Sequence, residues 1–238
     1  MPIVVPTITP TPPTPGTVPM VDLSEFYPLI TYTALGAPEP LIDQLLVMTA
    51  IKFCRDTDCV QIIQPAIDVV AGANTYAIAP PVDMQLNRVL KAWYRNRQLT
   101  ATSPDLVDDV LAYRSPVDGI EAQSGEPTVY YQETPTESTI GVYPVPNENV
   151  AGGLIVRVSF KPEFGATQLP ELLLNEWGQE FCAGVRGALH AMPNQTFTDS
   201  ARAEMEFAQY ASGMRTATMQ INTGAVRTGL RVRNNPLF

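Results

Sequence analysis

A chain of 238 residues is long enough for one substantial core or two small ones. With 15 Lys+Arg against 24 Asp+Glu, its net charge of −9 excludes a general nucleic-acid coat, which needs excess cations on the face that meets phosphate. Only 16% of residues are charged, against about 25% in typical domains, so the surface is either partly covered by partners or made polar by Ser, Thr, Asn and Gln.

Residues 1–19 carry seven prolines and no charge. Such density blocks helix and central strand and favours an extended, polyproline-type arm over residues 1–20. A segment over residues 21–58 follows. Its "PEPLIDQLLVMTAIKFCRD" reads as a helix from near Pro40, with Leu41, Ile42, Leu45, Leu46, Met48 and Phe53 on a broad apolar stripe.

Residues 59–162 change texture to short extended runs. "CVQIIQPAIDVV" and "TYAIAPP" flank the turn signal "AGAN", and "NRVLKAWYRNRQL" reads as a strand that turns at Arg95-Asn96-Arg97. Ser103, Pro104 and Asp105 open a short helix. "EPTVYYQET", "STIGVYPVP" and "GLIVRVSFKP" read as three strands of a meander.

Residues 163–222 read as two helices joined by a short loop, hence an antiparallel hairpin. The first begins near Pro170, carries Leu173, Trp177, Phe181, Val185, Ala188 and Met192 on one face, and stops at Pro193. Gly178, Gly184 and Gly187 each cost about 1 kcal/mol against Ala inside a helix, which is explained if another helix packs very close. The second starts at Thr198-Asp199, with Ala201, Met205, Ala208 and Ser212 on one edge and Phe207, Tyr210, Ala211 and Met214 beside them. The expected fold is therefore α+β: a helical bundle of one N-terminal helix and a C-terminal helical hairpin, an inserted antiparallel β-domain, and extended arms at both ends.

Catalytic patterns are missing. The single histidine, His190, sits at a helix C-terminus, where it suits the dipole or a terminal carbonyl. Asp108-Asp109 and the pair Glu204 and Glu206 point in different directions on their helices, so neither forms a shared-proton dyad. Tyr130, Tyr131 and Tyr143 lack interleaved cations, which favours strand packing over a base-stacking platform. Cys54, Cys59 and Cys182 cannot all pair and have no zinc-site spacing. The expectation is a non-enzyme with no cofactor, metal or membrane span, and with no leader pattern at its start.

The last segment, residues 223–238, reverses the charge of the body. No acidic residue follows Glu206, and Arg227, Arg231 and Arg233 precede a Leu237-Phe238 tip. By itself such a strip suits either a docking arm or weak, salt-sensitive binding to about three phosphates.

"LPELLLNEWGQEFCAGVRGALHAMPNQTFTDSARAEMEFAQYASGMRTA" resembles the C-terminal helical pair of phage head-to-tail adaptor proteins of short-tailed and related tailed phages. "NRVLKAWYRNRQLTATSPDLVDDVL" resembles the strand and short helix before it, so the likeness spans roughly residues 40–220. The resemblance implies a structural virion protein at the head–tail junction, assembled in the bacterial host cytoplasm. Twelve copies would form a ring under the portal protein, extend the channel through which genomic DNA passes without specific binding, and dock the tail or nozzle protein. It implies portal docking by Arg227, Arg231, Arg233, Leu237 and Phe238, and ring-helix packing by Trp177, Phe181, Gly184, Phe207 and Tyr210. Another tail-completion or capsid-associated structural protein is the first alternative; a nucleic-acid binder using the basic C-terminal strip is the second.

Overall fold

The computed structural model describes residues 18–107, 124–132 and 138–223. The Pro-rich residues 1–17, Asp108-Asp109 and the basic residues 224–238 lie outside that description.

The chain enters through β1 (Met20–Asp22), a 3-10 turn (Leu23–Phe26) and the single turn α1 (Pro28–Thr31). Helix α2 (Glu39–Thr57) follows, with Pro40 in its first turn, where a missing N–H costs nothing. It buries Ile42, Leu46 and Phe53 as the stripe predicts. Val47, Ala50 and Cys54 complete that face, while Met48 is half exposed. Asp58 closes the helix in the left-handed region (φ 53°, ψ 35°), its N–H donating to the Cys54 carbonyl.

The sheets are built from β2 (Val60–Ile63), β3 (Ile67–Val69), β4 (Thr75–Ala77), β5 (Met84–Tyr94), β6 (Arg97–Gln98) and β7 (Thr100–Ala101). Then come β8 (Ser124–Gly125), β9 (Val129–Tyr131), β10 (Thr139–Tyr143), β11 (Val145–Pro146), β12 (Val150–Pro162) and β13 (Gln168–Pro170). The long strand β12 is the spine of the largest sheet, antiparallel to β5 on one side and to β2 and β3 on the other. Leu154, Val156, Val158 and Phe160 alternate inward along it, as a strand with one buried face must. A second sheet runs β4-β10-β9-β7, and β1 pairs with β13.

The "AGAN" signal is a turn at Ala71-Gly72, and the strands on its two sides part, β3 pairing with β12 and β4 with β10. One strand reading needs correction: the last three long runs do not form a meander, since β9 and β10 pair but β12 belongs to the other sheet.

After β13 the chain forms α3 (Glu171–Asn175), α4 (Gly178–His190) and α5 (Ser200–Thr223). The single helix expected from Pro170 to Pro193 is thus broken at Glu176-Trp177, where Trp177 leaves helical geometry (φ −130°, ψ 13°). The break turns the buried Trp177 ring onto Phe53, 6.3 Å between centroids.

The architecture is not a helical bundle carrying a β insert. Helix takes 39% and strand 31% of the described residues, and the two share one core. Ile42, Leu46 and Phe53 of α2 belong to the same buried cluster as Val156, Val158 and Phe160 of β12 and Phe181 and Val185 of α4. Periodicity identifies the long helices and most of the longer strands but not β1, α1 or β13, and it does not reveal that the sheet's inner face is covered by α2. This is therefore a mixed fold of several sheets and helices around a common centre.

Candidate functional site

Three helices meet at Phe53. Its ring lies 6.1 Å from Phe181 (82°, edge to face) and 6.0 Å from Tyr210, while Phe181 also meets Phe26 edge-on at 5.5 Å. Such edge-to-face packing adds about 0.5–1.5 kcal/mol per pair beyond area burial. Of the residues that the resemblance groups, Trp177 (just before α4), Phe181 and Tyr210 surround Phe53, Gly184 faces Tyr210, and Phe207 packs instead on Gly187.

The glycines explain how closely these helices approach. A Cβ on Gly184 would lie 2.7 Å from the Tyr210 ring and 2.9 Å from the Thr49 methyl; one on Gly187 would lie 2.9 Å from the Phe207 ring. Each aromatic side chain of α5 occupies the space a side chain of α4 would need.

The seam of α5 differs from the sequence reading. Its buried positions are Ala203, Glu206, Tyr210, Gly213 and Ala217, spaced three and four residues apart, whereas the expected edge of Ala201, Met205, Ala208 and Ser212 is exposed. The sequence reading considered Glu206 only as half of a carboxylate pair with Glu204 and gave it no place in the seam. In the structure Arg186, 2% exposed, donates to Glu206 Oε2 from Nε (2.9 Å) and from its terminal nitrogen (2.8 Å), and to the Leu29 carbonyl (2.8 Å). Its guanidinium also lies 5.6 Å from the Tyr32 ring centre. A charge can sit inside the seam only because its partner sits there too. Arg186 has no distinguishing signature in sequence beyond lying 20 residues from an acid on the facing helix.

His190 is buried, and its Nδ1 lies 2.7 Å from the Phe197 carbonyl, bracing the loop between α4 and α5. Burial pushes the Cys182 thiol up to about 12, that of a buried apolar side chain rather than a nucleophile. Cys54 and Cys59 sit 3.7 Å apart, sulfur to sulfur, with the Cys54 thiol held well above its ordinary range by hydrogen bonding to Cys59 and by burial. Tyr130 and Tyr131 are both buried, with Tyr130 donating to the Leu90 carbonyl at 3.0 Å, so they form no platform. Among the described residues no three of His, Cys, Asp and Glu gather where they could hold a metal ion, and no helix is long and apolar enough to cross a membrane.

Several concave surfaces lie among the described residues, and two of them carry cations. A groove of about 750 Å³ runs between α2 and α5, walled by Phe207, Tyr210, Met214 and Met219 and rimmed by Lys52 and Arg215. Burial pushes the Tyr210 phenol above its ordinary range, and its hydroxyl has no partner among the described residues. The second, of about 420 Å³, is lined by Arg55, Asn87, Arg88, Gln132 and Lys161. Behind it Asp58 Oδ1 accepts from Asn87 Nδ2 (2.7 Å) and Ser159 Oγ (2.6 Å) and meets Arg88 Nε at 3.3 Å. The helix-closing aspartate thus pins α2 to β5 and β12. Sequence periodicity set Phe207, Tyr210, Ala211 and Met214 side by side on α5, and all four line the groove, but it gave no sign of the groove itself or of Lys52, Arg215 and Met219. Arg227, Arg231, Arg233, Leu237 and Phe238 lie outside the described residues.

The family model described as SU10 adaptor protein matches residues 24–233. No curated protein matches the chain.

Proposed function

The chain belongs to the SU10 adaptor protein family, a phage head-to-tail adaptor family, and from that membership we propose that it forms a ring beneath the portal. The ring extends the DNA channel and gives the tail its docking surface. The observation that carries this reading is the family match over residues 24–233, which takes in every described element from the 3-10 turn to α5.

Several physical features support it. A low charge density suits a protomer flanked by neighbours, and a net charge of −9 suits a channel that DNA crosses without adhering. The α4–α5 hairpin, stiffened by Gly184 against Tyr210 and by Arg186 against Glu206, gives a rigid element for ring neighbours to pack on. Arg227, Arg231 and Arg233 reach carboxylates or carbonyls of the portal, and Leu237 and Phe238 fill a pocket there. Twelve copies close the ring.

Affinity capture tests the reading. Immobilised portal should retain the chain, and the complex should retain tail or nozzle protein. Capture by capsid or tail tube alone, with none by portal, overturns it in favour of another structural role.

A further inference from the structure

The apolar groove between α2 and α5 needs an occupant, and the same molecule displays one. Between β12 and β13 the chain turns at Glu163-Phe164-Gly165, the Ala166 N–H donating to the Glu163 carbonyl at 3.2 Å. Phe164 is 72% exposed there, a large aromatic with little reason to face water, and Glu163 beside it is exposed too. Across the molecule, the groove offers an apolar wall of Phe207, Met214 and Met219 beneath Lys52 and Arg215. Among the described residues, neither of these cations nor Glu163 has an ion-pair partner. An aromatic flanked by an acid complements an apolar groove that carries two bases and one acid, Asp56, whose carboxylate is already paired with Arg55 at 3.0 Å.

The two features cannot meet within one chain. Phe164 lies against the flank of α2 that carries Asp43, Gln44 and Val47, whereas the groove lies against Lys52 and Asp56. Asp43 to Lys52, like Val47 to Asp56, is two and a half turns at 3.6 residues per turn, so knob and groove face opposite flanks of the same helix. We infer that the Glu163-Phe164 turn of one copy seats in the α2–α5 groove of the next, Phe164 against Met214 and Met219 and Glu163 between Lys52 and Arg215. A contact that joins different faces of identical molecules is head-to-tail, and it generates a closed ring or a filament. The inference rests on the proposed ring and names the surfaces that would build it.

Complementation tests it. Phe164→Glu removes the knob and Lys52→Glu/Arg215→Glu reverses the charge of the groove's two cations; all three positions are exposed, so circular dichroism should show unchanged folds. By sedimentation, the unaltered full chain should associate with rising concentration, and each variant alone should associate at least about tenfold more weakly, as expected on losing a central anchor. Mixed one to one, the variants should pair into a dimer that grows no further, since each retains one working face. No association of the unaltered chain, or association that both variants leave untouched, overturns the contact. Retention of both variants by immobilised portal, together with that result, leaves the adaptor reading standing and removes only this interface.

Discussion

At the scale of single residues, close approach decides more than propensity. Replacing Gly184 with alanine would raise helix propensity by about 1 kcal/mol. The new Cβ, however, would fall 2.7 Å from Tyr210 and 2.9 Å from Thr49, and Tyr210 is itself packed against Phe53. Overpacking of that kind costs about 1–3 kcal/mol, so Gly184→Ala should destabilise on balance in a denaturant titration. Gly187→Ala should cost less, because its neighbour Phe207 is 42% exposed and free to swing outward. Asp83 is a second such residue, itself at positive φ (60°). Its Oδ2 accepts from the Thr167 N–H (2.9 Å) and hydroxyl (2.8 Å) and from the Gln168 N–H (3.3 Å), and these bonds hold its carboxyl below the usual range. A depressed carboxylate stabilises fully above its unfolded value of about 3.9. That contribution is lost as pH falls through the lower folded value. Acid titration of Asp83→Asn should therefore show a shallower fall in stability below about pH 4 than the unaltered chain shows.

At the scale of elements, the buried Arg186–Glu206 pair ties α4 to α5 and, through the Leu29 carbonyl, to α1. Removing one partner leaves the other charge without compensation, so Glu206→Gln or Arg186→Met should cost about 3–5 kcal/mol. The double change Arg186→Met/Glu206→Leu should recover most of that loss, because no unpaired charge remains buried. Equal losses from the single and double changes, measured by thermal denaturation, would show that packing rather than charge dominates there. The same pair marks the limit of what sequence alone discloses. The α2 helix, strand β5 with its Arg95-Asn96 turn, and the pairing of two C-terminal helices were legible, because each depends on local periodicity and turn chemistry. The buried face of α5 was not, since a pattern rule reads Glu206 as solvent-facing until its partner 20 residues away is known. Sheet partners were hidden for a similar reason: β12 pairs with β5 and β2 over long sequence separations, and no local signal encodes that choice. Trp177 was expected in the middle of a helix and instead breaks it, because the Phe53 contact outweighs helical continuity.

At the scale of the whole molecule, an acidic body carries a basic end, and the proposed function assigns that end to attachment. Arg231→Glu with Arg233→Glu should leave the thermal melt of the protomer unchanged and abolish capture by portal. Deleting residues 224–238 separates docking from nucleic-acid binding: loss of portal capture with unchanged DNA affinity supports docking, whereas lost DNA affinity supports the basic-strip alternative. The shared core of helices and sheets matters here as well, because it presents the groove and the Phe164 turn as parts of one body with fixed geometry. The central claim is that this chain sits as a ring between head and tail. Electron microscopy of intact particles carrying a tag on this chain tests that most directly. Density for the tag should appear at one vertex only, encircling the channel between portal and tail. Tag density spread over the capsid, confined to the distal tail, or absent from particles that are nonetheless tailed would contradict the account.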